Sequence, residues 1–419
     1  MLINRTLNCG IRVVMEKIPY VQSASIGIWV KAGSADENEI NSGISHFIEH
    51  MLFKGTDLRS AKQIASDVDK IGGHINAFTG KEATCYYLKT LDSNLEKGCE
   101  ILIDMLLNSK FDPEEMTKEK MVICEEMKMI EDSPDEYAQD LISEAVFHGT
   151  NLQSPIIGTE KSLMGIQRED IKDYINKEYT RDNIVISLAG NFDEEKICDF
   201  FEGKLQSLNE KKESKKLKFA EYKPTYIVKT KDIEQSHICL GLKGIKLEHE
   251  LYYAMALLNN VMGGSMSSRL FQNIREEKGL AYSVYSSAAA YVNLGSYTIY
   301  AGVGHDKVSD TIQAIAEELH FLKKNGITQE EFSTAKEQLK SNYIFGLENV
   351  NGRMFAIGKN TLLLGKVHTP QEVLSNINGV TMKQIFDIAD LISDVRQYSA
   401  VLVGRKDVDL KKVLENTIC

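Results

Sequence analysis

The sequence predicts an α+β protein built from two homologous halves, each with a mostly antiparallel sheet packed by helices. Strand-like segments follow one another and give way to several helices in a row, unlike the strict strand–helix alternation of a parallel wound sheet. The same order of elements recurs later in the chain, where VLVG at Val401–Gly404 matches SLAG at Ser187–Gly190, 214 positions earlier. The repeat indicates duplication of one structural unit.

The elements of the first half follow from hydrophobic periodicity, β-branched and aromatic runs, and turn residues. The predicted strands are Arg12–Glu16, Ser23–Ala32, His74–Phe78, Ala83–Leu91 and Asn183–Leu188. The predicted helices lie within Asn41–Thr56, Ala61–Ile71 and Ser93–Asn108, from Asp112 onward, after Pro134 and within Glu169–Tyr179. Ser42 is expected to cap the first helix and Gly55 to end it.

A lysine- and glutamate-rich stretch at 205–224 has few apolar residues and is interpreted as a solvated linker. It separates a first domain at 1–204 from a diverged repeat at 225–419. In the repeat, the predicted strands are Tyr226–Lys229, His237–Leu242, Tyr282–Ala289, Ser296–Gly302 and Tyr398–Val403. The predicted helices are Leu251–Met262, Ser268–Lys278, Val308–Lys323 and Gln329–Glu348.

Composition argues against several classes of protein. The 419 residues are 43% hydrophobic and 26% charged, without the apolar run of ~18 residues that a membrane span needs, so no membrane association is expected. The start of the chain lacks a signal-peptide pattern, and seven cysteines are scattered without a C-x-x-C pair, which favours reduced thiols and a cytoplasmic location. A net charge of −11 argues against a nucleic-acid partner and is compatible with a basic peptide.

The first predicted helix carries a metal-binding pattern on the face opposite its apolar stripe. His46, Glu49 and His50 form H-x-x-E-H, the inverted zinc-peptidase motif, in which histidines one turn apart can bind one Zn²⁺ and the glutamate acts on bound water. The alternative is a surface helix with two histidines, since such a match arises by chance in about one chain in a hundred. A catalytic zinc also needs a third protein ligand.

The helix after Asp112 offers candidates for that ligand. Pro113 fixes the start of this helix. With a rotation of 100° per residue, Glu119 and Glu126 lie within its apolar stripe, while Glu125 points elsewhere. A buried, unpaired carboxylate costs several kcal/mol, so both glutamates need a partner, and a dication is suitable. The alternative is that they reach water or a lysine at the edge of the stripe.

Three segments resemble those of the insulinase/pitrilysin class of inverzincin metallopeptidases, in the branch that resembles the mitochondrial processing peptidase. They are HFIEHMLFKGT at His46–Thr56, GGHINAFTGKEATCYY at Gly72–Tyr87 and EKMVICEEMKMIEDSPDE at Glu119–Glu136. The family's third ligand is a glutamate well beyond the second histidine, and Glu126 stands at the matching place, 75 intervening residues after His50. Glu119 matches the family's second glutamate, which supports the site.

The resemblance implies a zinc metalloendopeptidase with one Zn²⁺ per chain. His46, His50 and Glu126 would hold the metal in the catalytic domain at 1–204. Glu49 would take a proton from the attacking water and return it to the leaving amine. The halves are expected to face each other across a cavity.

The resemblance also assigns residues that contact the substrate. SSRLFQNIREEKGLAYSVYS in the second half matches a family segment in which an arginine and a tyrosine meet the substrate or the oxyanion, here Arg275 and Tyr282. Asn76, Ala77 and Phe78 match a strand to whose edge an extended peptide substrate adds by main-chain hydrogen bonds.

Two other functions stay open at this point. The family includes noncatalytic scaffold or recognition subunits, which have lost the motif, and a metal-dependent hydrolase acting on something other than peptides would carry no separate sign in the sequence. Both parts of the implied site occur in one chain, and a homodimer is expected because relatives of this length commonly pair.

Overall fold

The computed structural model describes residues 2–210, 220–405 and 408–417, which form two compact units. The first unit holds the described residues up to Lys128, those from Ser154 to the gap at 211, and Ile344–His368. The second holds Met129–Gln153, the described residues from 220 to Tyr343, and those from Thr369 onward. Each unit therefore includes a segment from the other half of the sequence. Residues 211–219 of the predicted linker lie outside the described residues, and the boundaries at 204 and 225 stay a prediction.

Each unit contains one sheet. The strands are β1 Leu2–Thr6, β2 Arg12–Lys17, β3 Ser23–Val30, β4 His74–Thr79, β5 Thr84–Leu91, β6 Ile184–Gly190, β7 Tyr226–Thr230, β8 Ser236–Lys243, β9 Ala281–Ala290, β10 Gly295–Val303 and β11 Ser399–Gly404. The first sheet has the order β1-β2-β6-β3-β5-β4 and the second β7-β11-β8-β10-β9. All neighbours are antiparallel except the pairs β2–β6 and β7–β11.

The strand order confirms the α+β class and the two-half fold. Without β1, the two sheets have the same order and the same single parallel pair. The matched sequences SLAG and VLVG end the corresponding strands β6 and β11 at Gly190 and Gly404. Every predicted strand is present with ends within two residues of the prediction. The strand β1 is the one that the sequence analysis missed.

The helices are α1 Ile44–Leu52, α2 Ala61–Lys70, α3 Leu95–Asn108, α4 Pro113–Asp132, α5 Pro134–Val146, α6 Glu160–Gly165, α7 Arg168–Glu178, α8 Glu194–Glu202, α9 Tyr252–Gly263, α10 Val308–Asn325, α11 Gln329–Gly346, α12 Val350–Leu364, α13 Pro370–Gly379, α14 Met382–Ile392 and α15 Leu410–Asn416. The predicted helix at Ser268–Lys278 is instead a π-helix at Phe271–Glu277. The sequence analysis missed α6, α8 and α12 to α15. None of the helices in the described ranges combines the length and the apolar character needed to cross a bilayer.

The segment that each unit takes from the other half of the sequence supplies one helix layer to the sheet of that unit. In the first unit α12 packs on β6, β3 and β2, and in the second α5 packs on β8 and β11. The approach of α12 is close, since a Cβ at Gly358 would lie 2.1 Å from Trp29 Nε1 and 2.6 Å from Ser187 Oγ. On β3, Ile26 and Ile28 belong to the core cluster on the opposite face. The sheet of the first unit is therefore covered on both faces.

Candidate metal centre

The helix α1 is fixed in rotation by its apolar stripe. Its buried side chains belong to the core of the first unit; these are Ile44, Phe47, Ile48, Met51 and Leu52. The prediction that Ser42 caps this helix is wrong. Gly43 occupies the cap position at φ 90°, and the carboxylate of Glu37 accepts hydrogen bonds from the backbone N–H groups of Gly43 (2.7 Å) and Ser45 (2.9 Å). The helix ends at Leu52, before Gly55.

Helix packing gives the two glutamates of α4 different environments. Glu119 is buried, with 6% of its side chain exposed, whereas 40% of the Glu126 side chain is exposed. Val122 is 51% exposed, while its neighbour Ile123 is fully buried. The buried stripe of α4 is therefore narrower than the predicted apolar stripe, and Glu126 lies at its margin. The expectation that Glu126 is buried is therefore wrong.

His46, His50 and Glu126 converge in the first unit. His46 Nε2 lies 3.9 Å from Glu126 Oε1, and His50 Nε2 lies 3.7 Å from Glu126 Oε2. One possible ligand atom of each residue lies within 4.8 Å of the others. Two ligand atoms bound at about 2.0–2.1 Å to a tetrahedral zinc are about 3.4 Å apart. The two histidine–glutamate distances exceed this value by 0.3–0.5 Å, so these pairs already lie near zinc-binding distance.

The protonation of His46 also fits a metal ligand. Burial, reinforced by the neighbouring His50, lowers the pKa of His46 to about 4. Its ring is therefore neutral at physiological pH, which is the form that binds metal through a nitrogen lone pair. His46 Nδ1 is buried and has no hydrogen-bond partner among the described residues.

Glu119 supports His50 from the side away from Glu126. Its Oε1 lies 3.0 Å from His50 Nδ1, and its Oε2 forms an ion pair with Lys54 Nζ at 2.6 Å. A carboxylate at Nδ1 favours the tautomer with the proton on Nδ1, which leaves the Nε2 lone pair directed at the metal position. This position agrees with a supporting residue rather than a ligand.

Glu49 lies beside the three candidate ligands and is held by a residue that the sequence analysis missed. Thr79, the last residue of β4, donates a hydrogen bond from Oγ1 to Glu49 Oε2 at 2.5 Å. Burial raises the pKa of Glu49, against the hydrogen bond from Thr79 and the nearby His50, while the charge of Glu126 raises it further. Thr79 directly follows the predicted substrate strand, which is the signal that could have indicated it.

The predicted substrate strand lies at a sheet edge. β4 is the terminal strand of the first sheet, and within the described parts of the chain it pairs with β5 alone. Asn76 Oδ1 accepts a hydrogen bond from the backbone N–H of Ala77 at 2.8 Å. The ring of Phe78 packs edge-on against Trp29 and Phe355, with centroid distances of 5.6 and 5.7 Å. The edge position is as predicted; binding of a peptide there stays a prediction.

Arg275 and Tyr282 lie next to each other in the second unit. The Arg275 guanidinium lies over the rings of Tyr282 and Phe271, 5.3 and 4.7 Å from their centroids. Both residues line an open cavity of about 570 Å³ within this unit, and Tyr282 is 74% exposed. The arrangement leaves the phenol available to a ligand. The predicted roles toward substrate stay predictions.

Known protein families match most of the chain. A model of the insulinase family, peptidase family M16, matches residues 12–160, and a model of the peptidase M16 inactive domain matches residues 165–339. An uncharacterized zinc protease, YmxG, from Bacillus subtilis is 44% identical over 384 residues, which cover 92% of this chain and 94% of the relative. An uncharacterized zinc protease from Rickettsia felis is 38% identical and covers 96% and 97%.

Solved structures share the fold. A crystal structure of a peptidase M16 inactive domain from Pseudomonas fluorescens matches with a TM-score of 0.89 and 18% identity, over 97% of this chain and 98% of the other. A protease from Helicobacter pylori matches with a TM-score of 0.88 and 22% identity, over 96% and 99%. The similarity to the branch of the mitochondrial processing peptidase stays a prediction.

Proposed function

Because this chain belongs to the insulinase family, peptidase family M16, we propose that it is a zinc-dependent endopeptidase that cleaves peptides or unfolded segments. The observation that carries the proposal is the convergence of His46, His50 and Glu126 beside Glu49. Relatives named zinc proteases support both the metal and the class of reaction.

The four residues have distinct roles in this proposal. His46, His50 and Glu126 would hold one Zn²⁺ per chain, and such an ion supplies Lewis acidity and lowers the pKa of a bound water to about 7. Glu49 takes the proton of the attacking water and transfers it to the leaving amine. A partly buried carboxylate with a raised pKa is suited to both steps, since it can hold the proton between them.

The substrate would bind as an additional strand at the edge of β4. Main-chain pairing there makes little demand on substrate sequence, which suits an enzyme for extended or unfolded segments. The free edge and the exposed side chain of Asn76 support this placement. Arg275 and Tyr282 are proposed to contact the same substrate, supported by their exposed, adjacent positions.

The noncatalytic alternative would require a missing ligand or base. His46, His50, Glu126 and Glu49 are all present, and this favours the enzyme over a scaffold or recognition subunit. A cytoplasmic location and a homodimer belong to the proposal as expectations from the sequence. Sedimentation showing a fully active monomer would remove the homodimer.

The decisive experiment is the substitution Glu49→Gln, tested with a quenched peptide library with and without a chelator. The expected result is stoichiometric zinc without turnover, because the amide cannot accept the proton, whereas the unmodified protein cleaves peptides until the chelator removes its metal. Glu125→Gln on the exposed side of α4 is the matched control and should keep full activity. Turnover by Glu49→Gln, or a zinc-loaded protein that cleaves no peptide, would contradict the proposal.

A further inference from the structure

Glu49 has one hydrogen-bond donor in the part of the chain that the structure describes. That donor is the hydroxyl of Thr79, 2.5 Å from Glu49 Oε2. The two residues come from different elements, since Glu49 lies on α1 and Thr79 ends β4. A single hydroxyl therefore fixes one carboxylate oxygen of the residue that acts as base in the proposed function, and the other oxygen has no hydrogen-bond partner among the described residues.

The segment that carries Thr79 is held by several backbone hydrogen bonds. Thr79 pairs with Thr84 in the β4–β5 register, and Gly80 N–H bonds Ala83 C=O at 2.8 Å across the turn between them. The carbonyl groups of this turn accept hydrogen bonds from the N–H groups of Ser34 (3.3 Å) and Ala35 (2.8 Å). A hydroxyl on such a support has a defined position, and so gives the carboxylate a defined orientation.

We propose that Thr79 is a positioning residue, whose hydroxyl holds Glu49 Oε2 so that Oε1 faces the attacking water, and which joins the orientation of the base to the strand that binds the substrate. This inference depends on the proposed function for the role of Glu49. The contact itself is independent of it. Because β4 carries both the peptide-binding edge and Thr79, a peptide aligned on that edge is also aligned with the base.

The Thr79 hydroxyl should affect the reaction rate because proton transfer depends on geometry. A base must lie within hydrogen-bond reach of the proton that it takes, and a misplacement of about 1 Å can cost about a hundredfold in rate. Without the Thr79 hydroxyl, the Glu49 carboxylate can rotate about its last side-chain bonds. The loss should therefore affect kcat and leave substrate binding at the edge strand nearly unchanged.

Three variants separate positioning from a general structural effect. Thr79→Val keeps the β-branched shape and removes the hydroxyl, and Thr79→Ser restores the hydroxyl with a smaller side chain. Thr84→Val is the matched control, because Thr84 lies opposite Thr79 and its buried hydroxyl bonds the carbonyl of Ala32 at 2.9 Å, away from Glu49. Each is measured for kcat, KM, zinc affinity and the structure of its metal-free form.

For Thr79→Val we expect kcat to fall between about ten- and a hundredfold, with KM and zinc affinity within about twofold of the unmodified protein. Its metal-free crystal structure should show Glu49 in more than one rotamer. Thr79→Ser should recover kcat to within about threefold, and Thr84→Val should keep kcat even if its unfolding temperature falls.

Two results would overturn the inference. One is an unchanged kcat in Thr79→Val, and the other is a single, unmoved Glu49 rotamer in its metal-free structure. The second measurement needs no turnover. If the unmodified, zinc-loaded protein cleaves no peptide, the proposed function fails, while the metal-free structures still decide whether Thr79 orders Glu49.

Discussion

The substitution Glu119→Ala tests whether a buried carboxylate behind His50 sets the zinc affinity. Glu119 Oε1 lies 3.0 Å from His50 Nδ1, and Oε2 forms an ion pair with Lys54 Nζ. Truncation removes the partner that selects the His50 tautomer. It also leaves the ammonium of Lys54 close to a ligand of a dication, without the negative charge that now lies between them.

The expected loss of zinc affinity follows from these two changes. Removing the hydrogen-bond partner of a ligating histidine typically lowers metal affinity by about 10–100-fold, which is about 1.4–2.7 kcal/mol. Because the Lys54 charge also loses its negative partner, we expect Glu119→Ala to reach the upper part of that range. Glu119→Gln keeps one acceptor oxygen for His50 Nδ1–H and should lose about tenfold or less.

The assay is competition for zinc with a chromophoric chelator, followed by peptide cleavage at saturating zinc. Glu125→Ala is the matched control, since Glu125 lies on the same helix, is exposed and pairs with Lys128 at 2.7 Å. Its zinc affinity should equal that of the unmodified protein. A Glu119→Ala protein that binds zinc as tightly as this control would refute the reasoning.

Three further outcomes are expected. Ala77→Pro should raise KM several-fold with unchanged zinc content. The N–H that it removes bonds a side-chain amide oxygen rather than β5, so the pairing within the sheet is kept while the edge offered to a peptide loses a donor. Unchanged peptide kinetics would count against binding at the strand edge. Gly358→Ala should destabilise the fold by about 3 kcal/mol in chemical denaturation, since its Cβ would lie 2.1 Å from the buried Trp29 ring. Gly379→Ala, at the end of α13 with open space around it, should leave stability unchanged or raise it by up to about 1 kcal/mol. In the metal-free protein, the pKa of His46 is about 4 when folded and near 6.5 when unfolded, so the unfolded chain binds the extra proton in this interval. Stability should therefore fall by about 3 kcal/mol from this group as pH falls from 6.5 to 4, and His46→Gln should lack that part of the acid dependence in urea titrations; an unchanged pH dependence would contradict the assigned burial effect.

Local patterns predicted the strands and most helices of the duplicated core. The strands have alternating or continuous apolar runs bounded by turn residues, and these signals depend on nearby residues alone. The helix α12 was missed because nothing local reports that its Gly358 must approach Trp29 and Ser187, which are distant in the sequence. The packing of α12 on the sheet of the first unit depends on tertiary contacts, and hydrophobic periodicity in the sequence does not predict it.

The candidate site shows the same division between local and distant information. The phase of α4, counted from Pro113, selected Glu126 and rejected Glu125, and the structure places Glu126 beside both histidines. The cap of α1 was assigned wrongly to Ser42 because the carboxylate that replaces it comes from Glu37, outside the helix. Capping by a side chain from an upstream turn leaves no fixed spacing for a motif to detect.

Glu119 and Glu126 share one face of α4 but lie at different depths. Seven residues turn an α-helix by nearly two full turns, so both side chains lie on one face, yet they are about 10 Å apart along the axis. His50 lies between them, with Nδ1 toward Glu119 and Nε2 toward Glu126. The glutamate at the buried end can only orient the ring, whereas the one at the exposed end is accessible to a metal that must also accept water. Helical phase in the sequence gave the shared face, and the depth of each residue depended on what packs around α4.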